Sequence, residues 1–402
     1  MTEKTLKFRD PLSYSQVTTS DLHKQIQGVW IEPPGTQTTR LRLSPSFHAC
    51  PSGQSIFPSL FTRPPIVYPP AFALSLKNAT LTGYRTVINN EGNFCMDQSY
   101  IDTSTKEEAI KRLAKLDTFN NEETGLVRID DDNNFKFEMR GRKIIEQTGT
   151  VALLCSTEPS NYGSFIFRIL PKIHTLMTTQ LDCKIIVPVY AQTMLELLAL
   201  CGLDETRIVR HYADSIYKLE HAVMLSLRNS QGFLDQQSLN LFSELRASYG
   251  VPSQGRRLYI TRKNVGIKSN AASSRLMRNE EEVIHAMKHH DFEVVEPSSL
   301  SAIEQIKLFS SAELIVGPSG SALFNAVFCH PGTKLIDIES EPHWIHAHMC
   351  LFGSLGLDYG IFEATADDHD FNTVHKPFVV AVDTLINTIR EFDHAPGPIF
   401  FN

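Results

Sequence analysis

The feature that most constrains the fold is an alternation of short apolar segments with helical segments. After Gly149, the apolar runs VALLCS, KIIVPVY and RIVRHY are separated by two segments of helical length, 162–179 and 193–200. From Arg257 the pattern resumes with RLYIT, FEVVEP, ELIVG and KLIDIE, each followed by a predicted helix. Strands that alternate with helices indicate βαβ units with parallel strands. We therefore predict an α/β fold with two Rossmann-like domains.

The part of the chain before Gly149 has a different character. Residues 1–70 are rich in Pro, Ser and Thr, which predicts an irregular N-terminal extension. The segment ALSLKNATLTGY alternates as a strand does, and GLVRI and FKFEM flank a polar turn as in a hairpin. A helix is predicted over 105–116, and another over 239–249. The predicted regions are an extension (1–70), a domain that begins with β-strands (71–250) and a second Rossmann-like domain (251–402).

A glycine-rich turn follows the ELIVG strand directly. Gly317 and Gly320 let the backbone turn tightly and approach a ligand. The first amides of the predicted next helix would form an anion site, to which Ser319 and Ser321 add hydroxyl donors. Strand-to-helix turns also contain glycines without any ligand, so a structural role stays open. Glu339 ends the next strand, where it could accept ribose hydroxyls or be solvated.

Charge is distributed unevenly around this turn. The formal net charge is −7, which argues against a general nucleic-acid-binding protein. Between Arg256 and Arg278, however, there are seven basic residues and no acidic one. This cationic stretch suits a compact anion such as a diphosphate, although a solvated basic loop would look the same.

Two common nucleotide motifs are missing. No Gly-Lys-Ser/Thr follows the glycines, so the turn is not a Walker A loop. No Gly-x-Gly-x-x-Gly opens the first βα unit, which makes an NAD-linked oxidoreductase the weaker alternative.

Cysteine usage and hydropathy indicate the compartment. The seven cysteines are odd in number and form no Cys-x-x-Cys, which argues against a disulfide framework or a thiolate zinc site. The N-terminus is polar, unlike a signal peptide, and no apolar run approaches the roughly 18 residues that a membrane span needs. We predict a cytoplasmic protein, with room for peripheral association with the inner face of a membrane.

Taken together, the motifs resemble glycosyltransferase family 61. Members carry a Tyr-Ile-Ser-Arg stretch, an Arg, an Asn-Glu pair, a Gly-Pro-His-Gly-Ala-Gly-Leu-x-Asn turn and a Pro-Gly-x-x-Val-Ile-Glu strand. In the same order this sequence has Tyr259-Ile260-Thr261-Arg262, Arg275, Asn279-Glu280, the turn from Gly317 to Asn325, and Pro331 to Asp337. Upstream, Asn161-Tyr162 and Leu170-Pro171-Lys172 are similar to a family helix that begins Asn-Tyr and ends Leu-Pro-Arg.

The resemblance implies an inverting, metal-independent glycosyltransferase with a GT-B-like fold of two facing Rossmann-like domains. The region 71–250 would bind a glycan, polysaccharide or glycolipid acceptor, and 251–402 would bind a nucleotide sugar, by likeness a UDP sugar. No cofactor and no nucleic acid partner are expected. The predicted donor-binding residues are Arg262, Arg275, Asn279, Glu280, Gly317, Ser319, Gly320, Ser321 and Glu339.

Departures from the family pattern concern the catalytic groups. Ser319 stands where the family turn has His, and Ser164 and Arg168 replace the His and the acidic residue of the upstream helix. An inverting transferase needs a general base for the acceptor hydroxyl. The candidate bases are His174, His211 and Glu158, with His343 and His346 also considered. The alternative function is a catalytically altered component that binds nucleotide sugars in a glycan-assembly system.

A metal site is not predicted. Asp130-Asp131-Asp132 contains the Asp-x-Asp string of metal-using transferases, but it falls in a predicted hairpin turn. His343, Trp344, His346 and His348 cluster without a carboxylate at ligand spacing. We expect Arg262 and Arg275 to neutralise the diphosphate instead, because guanidinium groups bind phosphate oxygens in two-point geometry.

Overall fold

The computed structural model describes residues 5–32, 42–43, 68–99, 106–107, 110, 124–130, 132–139, 141–230, 232–262, 276–340, 342–366, 376–394 and 399–400. The side chains of 42–43, 230, 342–347 and 399–400 are outside this description. The six cysteines within these ranges are free thiols. No helix in this part of the chain combines the length and the apolar character needed to cross a bilayer.

The strands are numbered along the chain. They are β1 (Leu6–Phe8), β2 (Gly28–Ile31), β3 (Arg42–Leu43), β4 (Phe72–Thr82), β5 (Thr86–Ile88), β6 (Asn93–Cys95), β7 (Leu126–Arg128), β8 (Asn134–Phe137), β9 (Lys143–Leu153), β10 (Lys184–Val187), β11 (Ile208–Arg210), β12 (Ser215–Leu225), β13 (Asn229–Ser230), β14 (Phe233–Leu234), β15 (Arg256–Ile260), β16 (Glu293–Val295), β17 (Ala312–Pro318), β18 (Lys334–Glu339), β19 (Asp358–Glu363), β20 (Thr365–Ala366), β21 (Phe378–Val379) and β22 (Ile399–Phe400).

The α-helices are numbered in the same way. They are α1 (Thr19–His23), α2 (Tyr162–Ser164), α3 (Lys172–Thr179), α4 (Gln192–Leu200), α5 (Gln236–Tyr249), α6 (Glu280–His289), α7 (Ala302–Ser310), α8 (Pro342–Ser354) and α9 (Val382–His394). A π-helix spans Phe165–Ile169, and 3-10 helices span Pro11–Ser13, Glu205–Arg207, Pro297–Ser299 and Ser321–Phe328.

The chain divides into two compact units. Unit 1 comprises Met1–Thr36 and Tyr68–Asn229, and unit 2 comprises Gln37–Val67 and Ser230–Asn402. This division differs from the predicted boundaries at 70/71 and 250/251. Helix α5, predicted in the first domain, belongs to unit 2, because its Phe242 packs edge-on against Phe328 at 6.1 Å. The functional roles of the predicted regions stay predictions.

Unit 1 is built on one mixed sheet. Its strand order is β11-β10-β9-β12-β4-β5-β6-β1-β8-β7, with β2 also paired to β4. The strands β11, β10, β9 and β12 are parallel, whereas β12 and β4 pair antiparallel from Leu225↔Ala73 to Tyr217↔Leu81. The predicted β7–β8 hairpin is confirmed, with Leu126 opposite Phe137. The predicted helix 105–116 lies almost wholly outside the described residues.

Two elements of unit 1 differ from the sequence prediction. The central strand β12 was not predicted, because Lys218, Glu220 and His221 interrupt its apolar pattern, although His221 is fully buried. The predicted helix 162–179 is divided into α2, the π-helix and α3. Pro171 stands directly before α3, where its missing N–H is tolerated at a helix start but would break a continuous helix.

Unit 2 is built on a fully parallel sheet of five strands. Its order is β16-β15-β17-β18-β19. Across the sheet, the second strand of the chain is followed by the first, third, fourth and fifth. This is a doubly wound arrangement, in which the direction of strand order reverses between β15 and β17. Apolar residues of α6 and α9, such as Met287 and Ile389, pack against Tyr259, Val316 and Ile336 of the sheet. The α/β prediction for this region is confirmed.

Helix termini in unit 2 agree only in part with the prediction. The Ser-x-x-Glu spacing of Ser301 and Glu304 predicts a capping box, which the structure confirms at the start of α7. Asn279, with Glu282 three residues later, likewise predicts a cap for α6, but its side chain makes no capping bond. Its Oδ1 accepts from the Val380 amide at 3.0 Å, and its Nδ2 donates to the Val380 carbonyl at 2.9 Å. The helix predicted after the glycine turn is a 3-10 helix.

Candidate functional site

The carboxyl ends of β15 and β17 lie beside each other where the strand order of unit 2 reverses. Open α/β sheets bind ligands at this kind of switch point. Arg262 follows β15, and the glycine-rich turn follows β17. The Nη1 atom of Arg262 donates to the carbonyl of Ser319 at 2.6 Å. The structure therefore brings together two parts of the predicted site that are more than fifty residues apart in sequence.

Gly320 lies directly beside the guanidinium group of Arg262. Its φ of 154° favours glycine, and an added Cβ would lie 2.7 Å from Nη1 of Arg262, so that the guanidinium would have to move. Gly317 has a different reason to be glycine. A Cβ there would lie 2.9 Å from both the Cβ and the carbonyl oxygen of Ile260, so the residue lets β17 pack against β15.

The two serines of the turn differ in their settings. Ser319 is buried, its amide donates to the Ile338 carbonyl at 2.8 Å, and its Oγ lies 3.1 Å from Nδ1 of His348. Ser321 is half-buried and begins the 3-10 helix. Ser321 is thus the more accessible of the two hydroxyl residues beside Arg262.

Glu280 supports the loop that carries Arg262. Its buried Oε1 accepts from the Thr261 hydroxyl at 2.8 Å and from the Arg262 amide at 2.9 Å. Asn279 joins the start of α6 to Val380, as described above. The structure therefore gives both residues contacts that hold the loop and the helix start in place.

The end of β18 contributes two buried carboxylates. Glu339, predicted to bind ribose, has an Oε1 that accepts from the Ser340 amide at 2.9 Å. Asp337 accepts through Oδ2 from His348 Nδ1 and from the Tyr359 hydroxyl, each at 2.8 Å. No role was predicted for Asp337 from the sequence, and His348 was considered only as part of a histidine cluster that could bind a metal ion. The sequence did contain one indication of this pair: an acidic residue lies inside an apolar strand, and a histidine-rich helix follows that strand.

Comparison with protein families matches residues 162–336 to the glycosyltransferase 61 family. This match identifies the chain as a glycosyltransferase. The match begins at α2, ends within β18, and includes the Arg262 loop and the glycine turn. No curated protein sequence matches the chain.

In this glycosyltransferase, the candidate base Glu158 lies in the loop after β9. Its φ of 51° is left-handed, which is uncommon for a residue with a side chain. Its Oε2 accepts from Ser164 Oγ at 2.8 Å and from Arg168 Nη1 at 2.9 Å. Glu158 therefore contacts both residues that depart from the family pattern of the upstream helix.

The two histidine candidates of the glycosyltransferase also lie in unit 1. His211 is 2% exposed and stacks on Tyr217 with ring centroids 5.5 Å apart, and burial lowers its pKa to about 4. His174 Nδ1 lies 3.7 Å from Oε1 of Glu32, whose Oε2 accepts from Arg228 at 2.6 Å. His211 stays neutral at pH 7, and His174 belongs to a charged cluster with Glu32 and Arg228.

Several predicted residues of the glycosyltransferase lie outside the described part. Arg275 falls in 263–275, and nothing is described for Asp131 or for the side chains of His343, Trp344 and His346. Asp130 accepts from the amides of Asp132 and Asn134 at 3.0 and 3.2 Å, as expected for a hairpin turn. Within the described ranges, no three His, Cys, Asp or Glu residues are grouped to hold a metal ion.

Proposed function

We propose that the chain transfers a sugar, with inversion and without a metal ion, from a UDP sugar to a glycan, polysaccharide or glycolipid acceptor. The observation that carries the proposal is the contact of Arg262 with the glycine turn at the switch point of unit 2. A guanidinium beside backbone amides is suited to a diphosphate, because both offer directed N–H donors.

The proposed reaction is a direct displacement at the anomeric carbon. The acceptor oxygen forms a bond to that carbon, the bond to the diphosphate oxygen breaks, and the leaving diphosphate takes the electron pair. Negative charge grows on the diphosphate, so a fixed cation stabilises the transition state more than the ground state. We assign this role to Arg262, and by family likeness to Arg275.

Glu158 is our choice for the base that takes the proton from the acceptor hydroxyl. Its side chain is 34% exposed, whereas His211 is buried and His174 neighbours a charged pair. Ser164 and Arg168 fix the direction of the carboxylate. A left-handed non-glycine residue persists only where its surroundings hold it, and such residues cluster at functional sites.

The fold class belongs to the same proposal. We propose the GT-B class for the chain, because each unit contains parallel strands with intervening helices. The cytoplasmic location and a peripheral association with a membrane remain predictions from the sequence.

Titration of the protein with UDP tests the donor site. Arg262→Ala should weaken binding about tenfold or more, since a hydrogen bond to a charged group contributes about 1.5–3 kcal/mol. The matched control is Arg256→Ala, at the opposite end of β15 and paired with Glu293. Equal UDP affinity in the wild type and in Arg262→Ala would remove the assigned role.

A second candidate function is donor binding without transfer, which the serines at 164 and 319 favour. We would incubate the protein with several UDP sugars and an acceptor panel and follow the anomeric configuration by NMR. Turnover with an inverted product rejects this candidate. If turnover occurs, Glu158→Gln should abolish it while UDP still binds, and full activity in this variant contradicts the choice of base.

A further inference from the structure

The glycine turn takes part in a hydrogen-bonded network of four polar side chains from four parts of unit 2. Asp337 of β18 is fully buried and accepts from His348 of α8 and from Tyr359 of β19. Nδ1 of His348 also lies 3.1 Å from Oγ of Ser319 in the turn. Burying a carboxylate costs free energy unless charge or hydrogen bonds compensate it, so this arrangement calls for a cationic or strongly donating partner.

The network fixes which ring nitrogen of His348 faces outward. Because the Asp337 carboxylate only accepts, Nδ1 of His348 must carry the proton that joins them. Phe324 packs edge-on against the imidazole at 5.5 Å, and Phe352 lies 6.0 Å away. The side chain of His348 is 12% exposed, and no described residue hydrogen-bonds to Nε2. Nε2 is therefore the atom that can act on a ligand.

We infer that His348 contacts the diphosphate of the donor through Nε2–H and shares its positive charge with the leaving group. The inference rests on the proposed function, since it takes the glycine turn as the diphosphate site. When the bond from the anomeric carbon breaks, the electron pair goes to the diphosphate oxygen. The Nε2 proton stays on the imidazolium and is donated in a hydrogen bond, and Asp337 balances the charge of the ring.

Stereochemistry decides between this role and that of the base. Inversion requires the acceptor oxygen to attack opposite the leaving group, so the base and the diphosphate lie on opposite faces of the sugar. His348 contacts Ser319, a residue of the diphosphate turn itself. It therefore belongs to the leaving-group side, where a proton donor stabilises the transition state.

Few charged or titratable groups around His348 could produce the same pH dependence of donor binding. Among the described residues, Asp337 faces it from β18, the Tyr359 hydroxyl adjoins Asp337 from β19, and Ser319 faces it from the turn. Arg262 reaches the same turn through the Ser319 carbonyl, and Glu339 lies two residues beyond Asp337. Burial raises the pKa of Tyr359, which remains a hydroxyl donor throughout the working range.

The experiment measures the affinity of the full chain for UDP-glucose and UDP-N-acetylglucosamine between pH 5.5 and 8.5. These sugar diphosphates have no phosphate that titrates there, so a pH dependence reports the protein. The wild type should bind more tightly at low pH and lose affinity as the pH rises, because the imidazolium loses its Nε2 proton. His348→Asn should bind about tenfold more weakly at pH 6 and show little pH dependence.

Two further variants separate a charged contact from a structural role. Asp337→Asn should move the binding transition to lower pH, because removing the nearby negative charge disfavours the imidazolium. The exposed His285→Asn, in the same unit, should keep the wild-type profile. If either buried-network variant fails to fold, the wild-type profile decides, because affinity that does not vary with pH overturns the inference.

Failure of this inference is distinguishable from failure of the proposed function. If the wild type binds both UDP sugars and Arg262→Ala weakens that binding, the donor site stands. An unchanged profile in His348→Asn then overturns the role of His348 alone. If the wild type binds neither UDP sugars nor UDP, the proposed function fails, and this inference fails with it.

Discussion

At the scale of single residues, the proposed donor site depends on one close approach, that of Arg262 to Gly320. Nη1 of the guanidinium lies only 2.7 Å from the position that a Cβ of residue 320 would take. The absence of a side chain therefore positions the cation, because a longer residue would displace Arg262 or open the turn.

Gly320→Ala should lower the affinity for UDP about tenfold, since displacing Arg262 forfeits a charge-assisted contact. Gly332→Ala is the matched control. It also has a positive φ, of 87°, but its Cβ would meet nothing within 4 Å. Both variants should lose about 1 kcal/mol of stability in thermal denaturation. Equal loss of UDP affinity in the two variants would indicate backbone strain instead of the contact with Arg262.

The contacts within the proposed donor site were only partly predictable. Arg262 and the glycine turn follow from sequence, because a strand end followed by glycines has a known physical use. The bonds from Glu280 to Thr261 and Arg262 depend on how α6 meets β15, which no local pattern encodes. The pairing of Asp337 with His348 likewise requires the positions of β18 and α8 in space.

At the scale of elements, α6 acts as the support of the β15 loop. Its first-turn carboxylate, Glu280, bonds the loop rather than solvent. Glu280→Ala should weaken UDP binding several-fold and cost about 1–3 kcal/mol of stability, because buried donors lose their acceptor. The control is Glu281→Ala, an exposed acid in the same turn. UDP titration and thermal denaturation check both variants, and an unaffected Glu280→Ala would contradict the supporting role.

Secondary structure was predictable where local signals agree with the tertiary environment. The β7–β8 hairpin and the capping box of α7 follow from turn and cap chemistry. Strand β12 was not predicted, because a central strand can bury polar residues when side chains of the neighbouring strands form hydrogen bonds with them. His221, for example, bonds Ser75 on β4 at 2.8 Å and Thr150 on β9 at 2.9 Å.

At the scale of the whole molecule, stability should depend on pH through the buried histidines of unit 1. Burial lowers the pKa values of His211 and His221 to about 4. Because the unfolded chain titrates near 6.5, it binds more protons than the folded chain between pH 6.5 and 4. The free energy of unfolding should therefore fall with acidification across that window, by up to about 3 kcal/mol for each histidine.

Urea unfolding at pH 7 and pH 5 checks this expectation. Trp30 lies in unit 1, so its fluorescence in a Trp344→Phe background reports that unit. His221→Gln should reduce the difference between the two pH values, whereas His285→Gln should preserve it. A wild-type stability that is the same at both pH values would show that these histidines do not control the acid response.

The pairing of β3 with β22 has a consequence for biosynthesis. Leu43 pairs with Ile399, and Arg42 with Phe400, so a segment made early joins one made more than 350 residues later. Unit 1 continues in the chain between them. The emerging polypeptide must keep its residue 42 strand unpaired while unit 1 is synthesised, and no single cut in the chain yields both units intact.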